Sequence, residues 1–172
     1  MSHDFVIRAQ QIRLTVPNED PISTSKGRVS LRWILSDTER NSKKSLESIA
    51  RCFKNEMRFD HAQYDASEHY DDSCIGFIIV EQNFSKTVDY DKENIQFHYV
   101  IGGGCFRNGL NELKELNFIW LHPYARRREI TQTIWKIFNK KFTKFTLTEP
   151  LSASMINFLE KNDKDKISYR NN

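Results

Sequence analysis

Three consecutive arginines stand where a strand-like pattern gives way to a helical one. Arg126, Arg127 and Arg128 follow Pro123, which closes the apolar stretch LNFIWLHP, and they precede the helical pattern EITQTIWKIFNKKF. The start of a helix presents free backbone N–H groups and the positive end of a dipole, so phosphates bind there. Arginine adds a planar fork of donors. The pattern predicts a phosphate or pyrophosphate site at residues 126–131, and a solvated basic turn is the alternative.

The charge of the chain is unevenly distributed. Residues 1–106 carry a net charge of −3 and residues 107–172 carry +6, which gives +3 over the 172 residues. The basic half is therefore expected to face an anionic partner. Nucleic acid and a phosphate-bearing cofactor are both candidates, and charge alone does not choose between them.

Hydrophobic periodicity predicts the elements that must position the arginines. Strands are predicted at 5–16, 28–35, 75–80, 95–103, 116–122 and 144–148. Helices are predicted at 129–141, at 152–162 with serine caps, and within 36–59, where Ser36 and Glu39 have capping-box spacing. Residues 17–27 are interpreted as a surface loop, residues 61–73 as a loop with a short helix as the alternative, and residues 83–94 as a charged hairpin-like connection.

The order of these elements predicts a mixed fold. A strand at 116–122, a helix and a strand at 144–148 form a βαβ crossover, so those two strands are expected to be parallel. The class is α/β (α+β), in one domain spanning residues 1–172, with 163–172 as a frayed tail.

The arginine segment resembles motif A of the GCN5-related N-acetyltransferases. That motif places [R/Q]-x-x-G-x-[G/A] between a strand and a helix, and Arg126–Thr131 occupies the matching positions. The stretch YVIGGGCF looks like the strand that precedes the motif strand in this family. A downstream helical segment is also similar to the family, at Ser152, Met155, Phe158, Leu159, Glu160 and Lys161. The resemblance covers about residues 75–162 and implies a mostly antiparallel central sheet flanked by helices.

The resemblance implies an acetyl-CoA site. Acetyl-CoA would be the cosubstrate, and the acceptor would be a primary amine on a protein or small molecule. The implied cofactor-binding residues lie on the motif strand, in the loop and at the last helix: Ile119, Trp120, Leu121, Arg126, Arg127, Arg128, Glu129, Ile130, Thr131 and Ser152.

The resemblance also implies catalytic residues. Glu115 lies eleven residues before Arg126, where several family members carry the base that deprotonates the amine. Leu159 stands where the family commonly has a tyrosine that protonates the leaving thiolate. Tyr124, Tyr169 or solvent would then supply that proton.

Two departures favour an alternative function. Glu129 and Thr131 replace the motif glycines, which let the backbone approach phosphate closely. Together with Leu159, they favour a catalytically degenerate binding module for CoA, nucleic acid or a protein partner. The chain stops soon after the last predicted helix, so a homodimer that completes the acceptor site is a further alternative.

No other pattern in the sequence indicates a further catalytic, phosphate-binding or metal-binding site. Gly104 and Gly109 have P-loop spacing but lack the following Lys and Ser/Thr. The histidines and cysteines match no zinc spacing, so no metal is predicted. Cys105 is interpreted as a small buried thiol, and the odd number of three cysteines predicts reduced thiols in a cytoplasmic protein. No apolar run is long enough for a membrane span.

Overall fold

One six-stranded sheet organises the chain. The computed structural model describes residues 19–24, 27–66, 73–90, 93–109 and 113–168. The strands are β1 (Glu19–Thr24), β2 (Gly27–Ile34), β3 (Ile75–Tyr90), β4 (Glu93–Asn108), β5 (Lys114–Leu121) and β6 (Phe145–Leu147). The α-helices in the described residues are α1 (Arg40–Met57), α2 (Ile130–Lys141), α3 (Ala153–Asn162) and α4 (Asp165–Ser168).

The sheet order follows the chain order, β1-β2-β3-β4-β5-β6. Four neighbouring pairs are antiparallel, and β5 pairs with β6 in parallel across the crossover helix α2. The predicted parallel pair and the predicted mixed, mostly antiparallel class are confirmed.

Helices cover both faces of the sheet because strand side chains alternate between faces. Phe77 and Ile79 of β3 belong to a core shared with α2 and α3, whereas Ile78 and Val80 belong to a core shared with α1. The predicted apolar face of α1 is confirmed at Leu46, Ile49 and Ala50, which are fully buried. On α2 the predicted positions Ile130, Ile134 and Phe138 are buried.

Two local predictions are wrong and a third is right only in part. The segment predicted as a loop at 17–27 contains β1, which pairs with β2. The hairpin-like connection predicted at 83–94 is a hairpin between β3 and β4, but most of it is strand, because β3 continues to Tyr90 and β4 begins at Glu93. Ser36 and Glu39 form no capping box: Glu39 is itself the N-cap of α1 and makes no side-chain cap hydrogen bond. The strand predicted at 5–16 lies outside the described residues.

The glycine run of β4 fits against neighbouring strands rather than opening space for a ligand. A Cβ on Gly104 would lie 2.1 Å from the Phe118 carbonyl oxygen, and one on Gly103 would lie 2.6 Å from the Phe77 carbonyl oxygen. These contacts are closer than carbon and oxygen can approach. The glycines therefore permit the tight packing of β4 between β3 and β5.

None of the helices in the described part of the chain has the length and apolar character needed to cross a membrane.

Candidate functional site

A short irregular segment connects β5 to α2. A 3-10 helix at Pro123–Ala125 follows β5, and α2 begins at Ile130 with Glu129 as its N-cap. The backbone is left-handed at Arg127 and at Glu129, with φ of 60° at both. A left-handed conformation costs a residue other than glycine about 1–3 kcal/mol, so surrounding contacts must hold it.

Arg126 fixes one side of this segment to α1. Its Nη2 donates to Glu56 Oε2 at 2.5 Å, and its Nε donates to the Leu121 carbonyl oxygen at 2.9 Å. Trp120 Nε1 donates to the same Glu56 oxygen at 2.8 Å. The hydrogen bond from Arg126 is the main reason why the pKa of Glu56 lies below its ordinary value.

Arg128 fixes the other side to β3. Its Nη2 donates to Glu81 Oε1 at 2.7 Å, and the Glu81 side chain is only 2% exposed. Tyr124 Oη donates to the other Glu81 oxygen at 3.3 Å. Burial, and then the charge of Glu81, raise the pKa of Tyr124 to about 12.

The three arginine side chains therefore have different surroundings. Arg126 and Arg128 are held in ion pairs with Glu56 and Glu81. Arg127 is exposed, and its guanidinium has no ion pair or hydrogen bond with any described residue. Among the three, its side chain is the one open to an anion.

A cleft of about 200 Å³ lies at the start of α2, and we call it the loop cleft. Its lining comes from the segment after β5, the first turn of α2 and one side of α3. The lining residues are Leu121, Ala125, Arg127, Arg128, Glu129, Ile130, Thr131, Gln132, Phe158 and Asn162. The first N–H groups of a helix have no partner within it, so this cleft combines backbone donors with the Arg127 side chain. It is suited to bind an anion.

A second cleft of about 50 Å³ lies beside β5, and we call it the strand cleft. Residues of α1, β5, the end of β6 and the start of α3 line it. They are Phe53, Met57, Leu116, Asn117, Phe118, Ile119, Leu147, Thr148, Pro150, Leu151, Ser152 and Met155. The lining is mostly apolar.

The strand cleft lies where β5 and β6 separate. β6 pairs with β5 only from Lys114 to Leu116, and the last hydrogen bond of this junction runs from the Thr148 N–H to the Leu116 carbonyl oxygen at 3.0 Å. At the same level β5 contains a bulge, because Cys105 pairs with Phe118 and Phe106 pairs with Leu116, which leaves Asn117 as the extra residue. From Phe118 to Leu121, β5 pairs with β4, and its pairing with β6 has ended.

No protein-family model matches this chain, and no curated protein sequence matches it.

The residues of β5 that were predicted to bind the cofactor lie in different surroundings. Ile119 lines the strand cleft and Leu121 lines the loop cleft. Trp120 is buried on the α1 side, where its indole contacts Glu56. Ser152 lines the strand cleft, but its Oγ already accepts the Met155 N–H at 3.2 Å as the N-cap of α3.

The two predicted catalytic residues lie at opposite ends of β5. Glu115 is near its start, whereas Tyr124 follows its end in the 3-10 helix. The strand between them spans about 20 Å at ~3.3 Å a residue, so one reacting atom cannot contact both. Leu159 is fully buried in the core between the sheet and α3. Tyr169 lies outside the described residues.

The cysteines are free thiols in the structure, and Cys74 and Cys105 are buried. A hydrogen bond with Cys74 and then burial raise the pKa of Cys105 well above its ordinary value. The interpretation of Cys105 as a buried thiol is confirmed. No cluster of three metal-ligating side chains occurs among the described residues, and His69 lies outside them.

Sequence reasoning missed three polar residues of the site. Glu56 and Glu81 were not considered as partners of the arginines, and Asn117 was not considered as a lining residue. Two of these positions are marked in the sequence. Glu81 directly follows the apolar run IGFIIV, and Asn117 interrupts an apolar strand. A polar side chain in a buried strand must find a partner, and this requirement could have identified both positions.

Proposed function

We propose that this chain is a divergent GCN5-related N-acetyltransferase that moves an acetyl group from acetyl-CoA to a primary amine. The observation that carries the proposal is that both clefts lie along β5, the strand cleft beside Ile119 and the loop cleft beside Leu121. A strand with a bulge separates from its parallel neighbour and leads directly into an anion-suited helix start. A long ligand with an anionic part and a less polar arm fits such an arrangement.

The loop cleft would hold the pyrophosphate. The N–H groups at the start of α2 and the Arg127 guanidinium would supply the donors, and residues 127–131 form the rim. Glu56 and Glu81 hold Arg126 and Arg128, which keeps the segment in its left-handed conformation before any ligand arrives. This preorganisation reduces the ordering cost of binding.

The strand cleft would admit the pantetheine arm beside Ile119. Bound there, acetyl-CoA would supply an activated acetyl thioester. Glu115 lies two residues before the bulge residue Asn117, is partly buried, and has no ion pair or hydrogen bond with a described residue. Its carboxylate is therefore available to take a proton from the substrate ammonium through a water, because only a neutral amine is a nucleophile.

Solvent would supply the proton to the departing sulfur. Leu159 has no acidic proton to give and is buried in the core. Tyr124 lies at the loop end of β5, where its hydroxyl donates to Glu81, and its raised pKa makes it a weak acid.

A titration calorimetry experiment tests the proposal. We expect acetyl-CoA to bind in the micromolar range and NADH not to bind. Arg127→Glu should weaken acetyl-CoA binding about tenfold or more, because it replaces a charged donor with an acceptor at the anion site. Arg40→Glu, at an exposed arginine on α1, is the matched control and should leave the affinity unchanged. No heat of binding at millimolar acetyl-CoA would contradict the proposal.

Leu159 favours the binding module as a second candidate function. A protein that kept the two clefts but lost catalysis would need no general acid, and none stands at this position. Under this candidate, CoA and acetyl-CoA bind equally well and no acetylated amine forms in a mass-spectrometric assay with lysine peptides and polyamines. If nucleic acid were the partner, its affinity would fall steeply with salt.

A further inference from the structure

A row of lysines follows the solvent side of α2. Lys136 and Lys140 are exposed and lie one helical turn apart, so they project from the same side of the helix, about 6 Å from each other along its axis. Lys144 is exposed in the segment between α2 and β6. We call these three residues the lysine row. Their amino groups make no ion pair or hydrogen bond with a described residue.

The charge of α2 is of one sign, which is not the case for α1. Residues 130–144 contain four lysines and no aspartate or glutamate. In α1, Lys44 and Arg51 both form ion pairs with Glu47, about one turn away. Like charges one turn apart destabilise a helix, whereas opposite charges stabilise it. The lysine row is therefore not explained by ion pairs that stabilise the helix.

Local structural roles account for only part of this positive charge. The Nζ of Lys141 lies 4.5 Å from the centre of the Trp33 ring, so this lysine has a cation–π partner within the fold. Lys140 lies in the last turn of α2, where the helix dipole favours a positive charge. Lys136 lies before that turn and Lys144 lies after the helix, so the dipole explains neither of them.

The carboxylate of Asp163 does not neutralise the lysine row. Its Oδ2 accepts a hydrogen bond from Trp135 Nε1 at 2.7 Å, next to Lys136 in the chain. It forms no ion pair with a lysine of the row among the described contacts. The row therefore remains a surface of uncompensated positive charge.

The lysine row begins close to the loop cleft. Gln132 lines that cleft and lies one turn before Lys136 on the same side of α2. Arg127 extends the positive charge to the start of the helix, and Glu129 is the one carboxylate among the residues that line the cleft. The positive side of α2 thus runs from its first turn to the segment that follows it.

The chemistry of this surface fits a nucleic acid better than a membrane. The apolar residues of α2 are buried in the core, so the helix has no apolar face to insert into a lipid bilayer. A nucleic acid needs no such insertion, because each strand carries a phosphate about every 3.4 Å and surface lysines bind these phosphates. Tyr124 is exposed just before the arginine segment, and exposed tyrosines stack on unpaired bases. These features favour a single strand.

We propose that the lysine row of α2 is a docking surface for a single-stranded nucleic acid, whose phosphates contact Lys136, Lys140 and Lys144. The contacts are with the backbone, so the surface binds without reading the base sequence. The inference does not rest on the proposed function, because the lysine row lies outside the residues that line the loop cleft and the strand cleft.

Fluorescence anisotropy with a labelled RNA of about 20 nucleotides tests the proposal. For three phosphate contacts on a single strand, we expect log affinity to fall against log salt with a slope of about −2. The double variant Lys136→Gln/Lys140→Gln should weaken RNA binding about tenfold or more near 0.1 M salt and reduce that slope by about 1.4. Its melting temperature should equal or exceed that of the unmodified protein, because a like-charge repulsion is removed.

A matched double variant controls for the overall charge. Arg28 of β2 and Arg40 of α1 are exposed and make no ion pair with a described residue. Arg28→Gln/Arg40→Gln removes the same number of charges and should leave both the RNA affinity and the salt slope unchanged. A polyglutamate peptide and phosphatidylserine vesicles represent the other anionic partners, and we expect both to bind more weakly than the RNA.

Each contrary outcome has a definite meaning. Absence of RNA binding overturns the proposal, and so does an equal loss of affinity in the two double variants, because affinity would then follow net charge. Tighter binding of the peptide or the vesicles than of the RNA also overturns it. Acetyl-CoA affinity separates this inference from the proposed function: it should be the same in Lys136→Gln/Lys140→Gln and the unmodified protein. A chain that binds RNA through the lysine row but not acetyl-CoA would contradict only the proposed function.

Discussion

At the scale of single residues, Glu129 has an unfavourable backbone conformation for its type. Its φ of 60° lies in the left-handed region that glycine adopts without strain, and it occupies the position of the first glycine of the motif that the segment resembles. The structure therefore keeps a glycine-like conformation where the sequence has a glutamate. The glutamate also adds a negative charge to the rim of the loop cleft.

Replacement of Glu129 by glycine should improve both stability and anion binding. We expect Glu129→Gly to raise the free energy of unfolding by about 1 kcal/mol, because the strain is relieved, and to tighten acetyl-CoA binding, because the negative charge is removed. Denaturant unfolding and calorimetry would measure the two effects. Glu129→Ala is the matched variant: it removes the charge but keeps the strained Cβ, so it should improve binding without the gain in stability. An acetyl-CoA affinity lowered by both changes would contradict this account.

The partners of the two paired arginines show what sequence alone leaves undetermined. The presence of a basic segment before α2 follows from local pattern. Glu56 lies 70 residues before Arg126, and Glu81 lies 47 residues before Arg128, so no local rule connects them. Their pairing depends on the three-dimensional path of α1 and β3.

At the scale of secondary structure elements, α3 combines a stabilising cap with a position beside the strand cleft. Ser152 is the N-cap whose Oγ accepts the Met155 N–H, as the serine-rich start of the segment predicted. Because the same residue lines the cleft, its cap role and any contact with a ligand must be separated by experiment.

Substitution of Ser152 should affect the helix more than the ligand. We expect Ser152→Ala to lower the free energy of unfolding by about 1 kcal/mol, the usual cost of a lost N-cap, as measured by denaturant unfolding. Ser152→Asp keeps a cap acceptor and should restore most of that stability. If acetyl-CoA binding falls with alanine and not with aspartate, the loss follows the helix; if it falls with both, the hydroxyl contacts the ligand directly.

The elements that the sequence predicted well are those whose periodicity and boundary residues both lie within the segment itself. The predicted helix at 129–141 begins one residue before α2 and ends with it, because its apolar residues recur with helical period between two clear boundaries. β1 was missed because PNEDPISTSKG is polar and contains two prolines, a composition typical of loops. Its pairing with β2 is a tertiary interaction that composition does not encode. The bulge at Asn117 was missed for the same reason.

At the scale of the whole molecule, the ion pair between Glu56 and Arg126 connects α1 to the segment before α2. The side chains are 43% and 40% exposed, so its contribution to stability is modest, under about 1 kcal/mol. The pKa of Glu56 lies below its ordinary value in the folded protein, mainly because of the hydrogen bond from Arg126. The unfolded chain therefore takes up a proton at this carboxyl at a higher pH than the folded protein does.

This difference in the pKa of Glu56 makes the folded protein less stable as the pH falls. The contribution of Glu56 is complete above the pKa of the unfolded chain and is lost as the pH falls through the lower pKa of the folded protein. We expect Glu56→Gln to lower the melting temperature at neutral pH, with the difference from the unmodified protein shrinking below about pH 4. Glu160→Gln, at an exposed carboxyl of α3, is the matched control for the loss of one surface carboxylate. A difference that stays constant from neutral to acid pH would contradict the assignment.

The sequential strand order has a consequence for how the molecule folds. Three pairs of strands, β1–β2, β3–β4 and β4–β5, follow each other in the chain with short connections, so they assemble as hairpins with short loop closure. The β2–β3 and β5–β6 pairs each form across an intervening helix, α1 or α2, and the β5–β6 pairing covers only three residues, whereas β2 and β3 pair over six. We expect the β5–β6 junction to form last during folding and to open first in native-state hydrogen exchange. The clefts proposed to bind the cosubstrate would then lie at the part of the molecule that opens most easily, and a bound ligand would slow exchange there more than anywhere else.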